Sequence, residues 1–354
     1  MNRKLYIPLL AIIVIVGALM YQHSMVNGQW SMVNGQWSMV NNEGTIFGTL
    51  YHAKYLYDKD LKAELEAELQ KVDASLSMFN PQSTISRINR NETDEADEML
   101  SDVLELSFTI NKATDGAFDP TVAPLVNAWG FGFKSGKLPN STQVDSLLAL
   151  VGLSGIHLQG DKLTKDNPLS ILDFSAIAKG YGVDHAAQVL RSHGIKDFMV
   201  EIGGEVVTEG VNEKGEPWRI GINKPDDDST STNTELQDII SLSGKAIATS
   251  GNYRNFYIKE GKKIAHTINP KTGYPAQQDI LSSTVLAPTC AEADAFATAF
   301  MVLGMEGAKQ VLRSQPQLEA YFIYSDEQGN YQTWQTEGMH HLTIGQSDNC
   351  TNEQ

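Results

Sequence analysis

The sequence predicts a single large α+β domain with mixed sheets and flanking helices, which could be two-lobed, behind an N-terminal membrane segment. Amphipathic helical patterns dominate the first half of the chain, and strand-like segments follow one another in the second half. This order is typical of an α+β protein and not of strict β-α-β alternation. No internal break suggests a linker within residues 44–338, so one domain is expected over that range.

The N-terminal segment has the composition of a membrane anchor or a signal peptide. Asn2, Arg3 and Lys4 precede an apolar run from Leu5 to Met20. The run is short for a spanning helix, which needs about 17–25 residues, but no convincing small-x-small cleavage site follows it. We therefore expect residues 1–23 to be an uncleaved anchor in the inner membrane, with cleaved export as the alternative. The positive flank predicts that the folded domain lies on the periplasmic side.

A tandem repeat follows this segment. Ser24–Trp30 recurs as Ser31–Trp37 and begins again at Ser38–Asn41. Asn-Gly in each copy disfavours a helix, so residues 24–43 are expected to be a linker. The folded domain is then expected at 44–338, followed by a polar tail at 339–354.

Periodicity predicts the remaining elements. The predicted helices are Asp60–Phe79, Asp94–Ala113, one beginning at Ser141, Cys290–Leu303 and Glu306–Arg313. The predicted strands are Ile46–Tyr57, Leu169–Phe174, Phe198–Val207, Trp218–Ile222, Ile239–Ser243, Ala246–Thr249, Phe256–Lys259, Ile280–Leu286, Leu318–Tyr324 and Tyr331–Gln335. Residues 226–233 form a polar loop without an apolar residue.

Composition bounds the function. Hydrophobic residues make up 41% of 354 residues, enough for a sizeable core. The formal net charge of −16 argues against nucleic-acid binding, which needs a basic surface. Cys290 and Cys350 could form a disulfide, although nothing in the sequence supports one, and no Cys/His pattern indicates zinc. Walker, Gly-x-Gly-x-x-Gly and Gly-x-Ser-x-Gly motifs are also absent, so a standard nucleotide fold is not indicated.

The mid-chain stretch from Leu172 to Asp184 is the first segment with candidate chemistry. A strand-like run ends in a small-residue turn and continues as a helix to about Gly194. Asp173 and Lys179 flank the turn, and the free N–H groups of a helix N-terminus can bind an anion. The alternative is an ordinary strand-to-helix turn with a surface lysine.

Two further segments carry candidate site residues. Asp294 and Thr298 are four residues apart on a predicted helix and share one face, where their oxygens could hold a hard cation. A helix-dipole role for the aspartate, with the threonine bonded to a backbone carbonyl, is the alternative. His266 follows a predicted strand and opens a loop with two prolines and a glycine. That loop could place a general base, or the histidine could be structural.

Taken together, these segments resemble the ApbE-like FAD:protein FMN transferases (flavin transferases), from about Gly44 to the last strands. The motifs that carry the resemblance are Asp173–Gly180, Glu201–Gly204, Thr249–Tyr253, His266–Gly273 and Ala293–Thr298. Two positions depart from the family pattern. Phe47 stands where the family has methionine, and Phe79 stands where tyrosine is frequent and so lacks the phenol hydroxyl but keeps a stacking face.

The resemblance implies a transfer of FMN from FAD to a Thr or Ser hydroxyl of an acceptor flavoprotein, with release of AMP and dependence on Mg²⁺. By the same resemblance, His266 is the base. The implied FAD contacts are Phe47, Phe79, Ala117, Phe118, Asp119, Asp173, Lys179 and Ile268. The implied metal ligands are Asp294, Thr298 and the carbonyls of Ala176 and Ala297. Acceptors would be subunits of ion-translocating membrane redox complexes. A Mg²⁺-dependent FAD pyrophosphatase and a non-catalytic FAD-binding protein are the alternatives.

Overall fold

The structure is a computed structural model that describes residues 38–131, 138–225, 235–251, 256–259, 262–277, 279–326 and 330–345. The strands in this part of the chain are β1 (Ser38–Ile46), β2 (Thr49–Tyr57), β3 (Ile156–Gln159), β4 (Lys162–Lys165), β5 (Phe198–Ile202), β6 (Glu205–Glu209), β7 (Trp218–Asn223), β8 (Leu236–Leu242), β9 (Lys245–Gly251), β10 (Phe256–Lys259), β11 (Lys262–Ala265), β12 (Ile280–Ala287), β13 (Glu319–Ser325), β14 (Tyr331–Gln335) and β15 (Thr343–Ile344). The helices are α1 (Lys62–Leu76), α2 (Thr84–Asn89), α3 (Glu98–Ala113), α4 (Ala123–Ala128), α5 (Ser141–Leu148), α6 (Ala178–Ser192), α7 (Cys290–Ser314) and α8 (Glu337–His340).

An eight-stranded sheet forms the centre of the fold, in the order β1-β2-β5-β6-β9-β12-β13-β14. A smaller sheet has the order β15-β8-β7. Every neighbouring pair in both sheets is antiparallel. The expectation of mixed sheets is therefore wrong, because no crossover makes two neighbouring strands of these sheets parallel.

Both faces of the central sheet are buried. In β13, Ala320 and Phe322 belong to a core with α3 and α7, whereas Tyr321 and Ile323 belong to a core with β8 and Met339. Successive side chains on a strand point to opposite faces. The α+β prediction is thus confirmed, with helices on one face and the small sheet on the other.

Two predicted strands are hairpins in the structure. In the predicted strand Ile46–Tyr57, Phe47 (φ 52°) and Gly48 (φ 74°) separate β1 from β2. In the predicted strand Phe198–Val207, Gly203 (φ 62°) and Gly204 (φ 104°) separate β5 from β6. Two-residue hairpin turns favour positive φ at their central residues because this backbone twist matches that of the strands.

The segment Leu169–Phe174, predicted as a strand, does not pair with a strand. The Asn89 side chain bonds both the N–H and the carbonyl of Leu172, at 2.8 Å each. The Asp173 N–H donates to the Pro120 carbonyl at 2.7 Å. An amide side chain and a loop carbonyl thus satisfy backbone groups that a neighbouring strand would otherwise bond.

The helix predictions are confirmed at their centres, and the break within α7 is confirmed as well. Gly304 (φ 70°, ψ −178°) interrupts α7 between the two helices that the sequence predicted. The second half restarts at Met305, whose N–H donates to the Asp279 carboxylate at 3.1 Å. The short helices α2, α4 and α8 were not predicted.

The folded domain extends beyond both expected boundaries, 44 and 338. It includes residues 38–43, because the incomplete third copy of the repeat pairs with β2. It reaches Ile344, because β15 pairs with β8. The anchor at 1–23, residues 24–37 of the repeat, the polar loop at 226–233 and Cys350 lie outside the described residues. No helix among the described residues has the length and apolar character needed to cross a membrane.

Candidate active site

Two adjoining cavities of about 390 and 380 Å³ form a cleft beside the N-termini of α6 and α7. Their shared wall consists of Val126, Asp173, Ser175, Lys179 and His266. Volumes of this size are typical of small-molecule sites. The sequence-predicted anion turn and the predicted base therefore lie on one wall.

The turn before α6 is fixed by its own aspartate. Asp173 Oδ1 accepts hydrogen bonds from the Ser175 N–H at 2.9 Å and from the Ser175 hydroxyl at 2.5 Å. These bonds hold the chain in the tight turn that leads into α6. Lys179 follows in the first turn of the helix and lines both cavities. This position argues against the alternative of an ordinary turn with a surface lysine.

The N-terminus of α7 is docked closely against α6. A Cβ on Gly180 would lie 2.2 Å from the Cys290 carbonyl oxygen, so only glycine fits there. The Asp184 carboxylate accepts hydrogen bonds from the N–H groups of Cys290 and Ala291, both at 2.9 Å. Burial raises the pKa of Asp184 to about 6, although these two bonds act to lower it. The Cys290 thiol is buried and forms no disulfide among the described residues.

Helix α7 presents Asp294 and Thr298 to the second cavity. The Thr298 hydroxyl lies 3.0 Å from the Ser250 hydroxyl on β9. The Gly180 N–H donates to Asp294 Oδ2 at 3.2 Å. The helical spacing thus places both side-chain oxygens on one face, as the sequence predicted.

Lys179 lies between two buried carboxylates. Its ammonium is 2.8 Å from Glu205 Oε1 and 3.5 Å from Asp294 Oδ2. The side chains of Glu205 and Asp294 expose only 5% and 3% of their surface. Burial lowers the pKa of Lys179, but Asp294 and Glu205 outweigh this effect and leave the pKa above its usual value. Burial raises the pKa of Glu205, and the charge of Lys179 acts against this rise.

The loop after β11 holds His266 on the shared wall. The His266 ring lies 6.3 Å from the Phe131 ring, centroid to centroid, in an edge-to-face arrangement. Further along the loop, the Trp129 indole donates to the Gly273 carbonyl at 2.8 Å. A Cβ on Gly273 would lie 2.6 Å from the Val144 side chain. The loop is therefore packed tightly against α4 and α5 at Gly273.

Asp119 also lines the second cavity. Its carboxylate accepts from the Thr121 N–H and hydroxyl at 2.8 and 2.6 Å and from the Leu153 N–H at 3.1 Å. Burial raises the pKa of Asp119 even so. Because both oxygens are engaged, the side chain ties the turn that follows it, at Thr121, to Leu153.

The structure brings nearly all predicted site residues together. Phe47 and Phe79 line the first cavity. The second cavity is lined by Ala117, Phe118, Asp119, Ala176, Ile268, Asp294 and Thr298, while Asp173, Lys179 and His266 line both. Ala297 is fully buried and lines neither.

Sequence reasoning missed three residues of the cleft. Glu205 and Ser250 line the second cavity, and Phe131 lines the first. Glu205 directly follows the Gly203-Gly204 pair, so a charged residue beside a glycine turn was the available signal. Ser250 lies in a glycine-containing motif that the sequence singled out without assigning a role.

The oxygen donors fit a hard divalent cation such as Mg²⁺. Asp294, Thr298 and Ala176 line the same cavity, and carboxylate, hydroxyl and carbonyl oxygens are the ligands that such cations prefer. Glu205 Oε2 is buried and has no hydrogen-bond partner among the described residues. In that part of the chain, no group of three or more His, Cys, Asp or Glu could hold a metal. A cation here would therefore need hydroxyl and carbonyl ligands as well.

Comparisons with known proteins agree with this geometry. The sequence profile of the ApbE family matches residues 47–322. An FAD:protein FMN transferase of Haemophilus influenzae is 39% identical over 303 residues, covering 81% of this chain and 86% of that protein. Its counterpart in Escherichia coli K12 is 36% identical over 306 residues, covering 82% and 86%.

Solved structures agree as well. The flavin transferase ApbE from Vibrio cholerae superposes with a TM-score of 0.78 at 34% identity, covering 86% of this chain and 99% of that one. The apo flavinyl transferase ApbE from Pseudomonas stutzeri gives 0.77 at 30% identity, covering 88% and 98%. With a family match over most of its length, and the predicted site residues gathered in one cleft, this chain belongs to the ApbE family.

Proposed function

We propose that the cleft transfers FMN from FAD to a Thr or Ser hydroxyl of an acceptor flavoprotein through a phosphoester bond and releases AMP. The chain is a transferase of the kind its relatives are named for, with FAD as the donor. The observation that carries the proposal is the shared wall, where Lys179 and His266 lie between two cavities. A dinucleotide has two halves joined by a pyrophosphate, and two cavities that meet at a wall carrying the Lys179 ammonium suit that shape.

The reaction exchanges one P–O bond for another. The acceptor hydroxyl oxygen bonds to the phosphorus on the FMN side of FAD, and the bond from that phosphorus to the bridging oxygen breaks. AMP leaves with the bridging oxygen, and the hydroxyl proton passes to His266. A hydroxyl is a weak nucleophile, so a base that takes its proton is needed.

The protein supplies charge and position for this exchange. Lys179 places an ammonium at the wall, where it stabilises negative charge on the phosphates. An acidic protein of net charge −16 needs such a local cation to hold a dianionic ligand. The loop after β11 places His266 on the shared wall. Bound at Asp294, Thr298 and the Ala176 carbonyl, Mg²⁺ would neutralise phosphate charge.

Incubation of the full chain with FAD, Mg²⁺ and a candidate acceptor tests the proposal. We expect flavin fluorescence on the acceptor after denaturing electrophoresis, with one AMP released per FMN attached. Replacing the acceptor hydroxyl by alanine should abolish both signals. Failure to label an acceptor that a flavin transferase from a relative labels in parallel would contradict the proposal.

The same assay distinguishes the two alternative functions. An FAD pyrophosphatase would release AMP and free FMN without any acceptor. A pure FAD-binding protein would release no AMP under either condition. The position of His266 on the shared wall favours a catalytic function, because a protein that only stores FAD needs no base there.

We also propose an inner-membrane anchor at residues 1–23 and a periplasmic position for the domain. The basic flank of the apolar run supports this orientation. Acceptors would then be exported or membrane-bound subunits of ion-translocating redox complexes. In membrane vesicles of known orientation, protease should reach the domain only from the periplasmic side, and an opposite result would overturn the orientation.

A further inference from the structure

We propose that Glu205 is a positioning residue that holds the Lys179 ammonium and so keeps the Asp294 carboxylate available to a divalent cation. The proposal rests on the cation site of the proposed function. It assigns a role to a buried acid that neither the motif pattern nor the transfer chemistry uses.

The geometry gives Lys179 two carboxylate partners of unequal distance. The ammonium lies 2.8 Å from Glu205 Oε1, a hydrogen-bonding distance, and 3.5 Å from Asp294 Oδ2, which is an ion pair without a hydrogen bond. Lys179 is therefore bound more closely to Glu205 than to Asp294.

Lys179 cannot move far from this position. It lies in the first turn of α6, and the next residue, Gly180, donates its N–H to Asp294 Oδ2 at 3.2 Å. Gly180 is itself pressed against the Cys290 carbonyl. The lysine backbone is thus fixed beside the aspartate, so the side chain decides whether the ammonium competes for Asp294.

The charges of Lys179 and of a divalent cation make them compete for the Asp294 carboxylate. A cation bound at Asp294 would lie close to the ammonium, and like charges in a poorly solvated site repel strongly. The negative charge of Glu205 offsets that repulsion and gives the ammonium a second partner. Without it, Asp294 would be the nearest carboxylate left to Lys179, and the lysine and the cation would compete for the same oxygens.

The burial of Glu205 indicates a role other than stabilising the fold. The residue exposes 3% of its surface, and Oε2 has no partner among the described residues. A buried ion pair is not by itself stabilising, because desolvation of the charges offsets their attraction. A carboxylate kept at this cost at the wall of the cleft is better explained by its effect on neighbouring charges.

Titration of the full chain with Mn²⁺, followed by electron paramagnetic resonance of the free ion, tests the proposal without any turnover. Asp294→Ala first identifies the site, since it should remove the Mn²⁺ bound there. We expect Glu205→Gln, which keeps the side-chain shape and removes the charge, to weaken binding on the order of 10-fold. Lys179→Met should tighten binding several-fold.

The decisive arm is the double variant Glu205→Gln/Lys179→Met. If Glu205 acts through Lys179, removing the lysine should abolish most of the loss caused by Glu205→Gln. A merely structural or direct ligand role predicts that the loss persists. Glu209→Gln is the matched control, because it removes a carboxylate of the same strand that pairs with Arg191, at 2.8 Å, away from the cleft. It should leave Mn²⁺ affinity within twofold.

Three results would overturn the proposal: unchanged affinity in Glu205→Gln, a loss that persists in the double variant, or weaker binding in Lys179→Met. The measurement on Lys179→Met does not depend on whether the Glu205→Gln variant folds. If Asp294→Ala leaves Mn²⁺ binding unaltered, the cation site and this proposal both fail. The transfer assay with FAD and acceptor then shows whether the proposed function survives.

Discussion

His266 is the residue whose replacement separates chemistry from binding. We expect His266→Ala to lower kcat on the order of 10²–10⁴-fold, because the acceptor hydroxyl loses its base. FAD affinity should change only a few-fold, since the cavities and Lys179 remain. Single-turnover FMN transfer and FAD fluorescence titration measure the two effects.

His157→Ala is the control for this prediction. His157 is an exposed residue that pairs with Asp166 at 2.9 Å and does not line either cavity. Its loss should leave kcat unchanged. Full activity in His266→Ala would show that another group takes the proton.

Single site residues could be predicted from the sequence where their spacing along one helix places them on the same face. Asp294 and Thr298 are four apart on a helix, so their shared face followed from helical geometry and is confirmed. Glu205 could not be assigned this way. Its partner Lys179 is 26 positions away, and only the pairing of strand and helix brings the two charges within 2.8 Å.

The contact of α6 with α7 yields a prediction for an element. Gly180→Ala would normally stabilise a helix by up to about 1 kcal/mol. Here the new methyl would lie 2.2 Å from a backbone oxygen, 2.5 Å from the carbonyl carbon and 2.8 Å from the Ala291 nitrogen. The helices must therefore separate, at a cost of about 1–3 kcal/mol or more.

Chemical denaturation checks this expectation, with Gly155→Ala as the control. A Cβ on Gly155 would meet nothing closer than 3.7 Å, so that variant should remain close to the wild type. Gly180→Ala should also weaken Mn²⁺ binding, because it displaces Asp294 from α6. A stabilised Gly180→Ala variant would contradict the close contact.

Asp184, which accepts from the first N–H groups of α7, predicts a dependence of stability on pH. Burial raises the pKa of Asp184 to about 6, above its value of about 3.9 in an unfolded chain. The folded state thus binds this proton more tightly than the unfolded state. The resulting contribution to stability is fully present below pH 4 and is lost as pH rises through 6, on the order of 3 kcal/mol.

Asp184→Asn removes the titration but keeps one acceptor for the N–H groups of α7. The difference in unfolding free energy between wild type and this variant should therefore shift in favour of the variant as pH rises from 4 to 7. Denaturant unfolding at several pH values measures it. A difference that is constant with pH would show that Asp184 does not titrate in this range.

Element predictions failed at tight turns and where a side chain takes the place of a neighbouring strand. Strand-like residues stand on both sides of Phe47-Gly48 and of Gly203-Gly204, so each hairpin was predicted as one strand although glycine marks both turns. Leu169–Phe174 has the composition of a strand, yet the Asn89 side chain bonds its backbone in place of a neighbour. The long helices α1, α3, α6 and α7 were predictable because their apolar stripes are continuous.

The limits of the whole domain follow from the first hairpin. Asn42 in β1 is buried and joins two parts of the chain: the Tyr55 hydroxyl donates to its side chain at 2.7 Å, and its amide donates to Asp60 at 2.9 Å. A chain shortened to begin at Gly44 should lose about 2–4 kcal/mol, because these bonds vanish and buried partners remain.

A chain shortened to begin at Ser38 is the matched control, because it keeps β1, and it should unfold at a higher temperature than the chain that begins at Gly44. Calorimetry of the two shortened proteins measures the difference. Equal unfolding temperatures would mean that β1 contributes nothing to the fold. The sequence could not show that β1 starts by Ser38, because Ser-Met-Val-Asn at 38–41 repeats the letters of the two preceding copies and only the pairing with β2 identifies it as a strand.

The burial of Cys290 gives the molecule an internal kinetic probe. The thiol has no exposed surface, lies under the carbonyls of Val206 and Ile247, and burial raises its pKa well above the usual value. In a Cys350→Ser variant, a thiol reagent can react only when the start of α7 moves away from β6 and β9, whose carbonyls cover the thiol. The labelling rate then reports how often this helix end opens, and we expect FAD with Mg²⁺ to slow it.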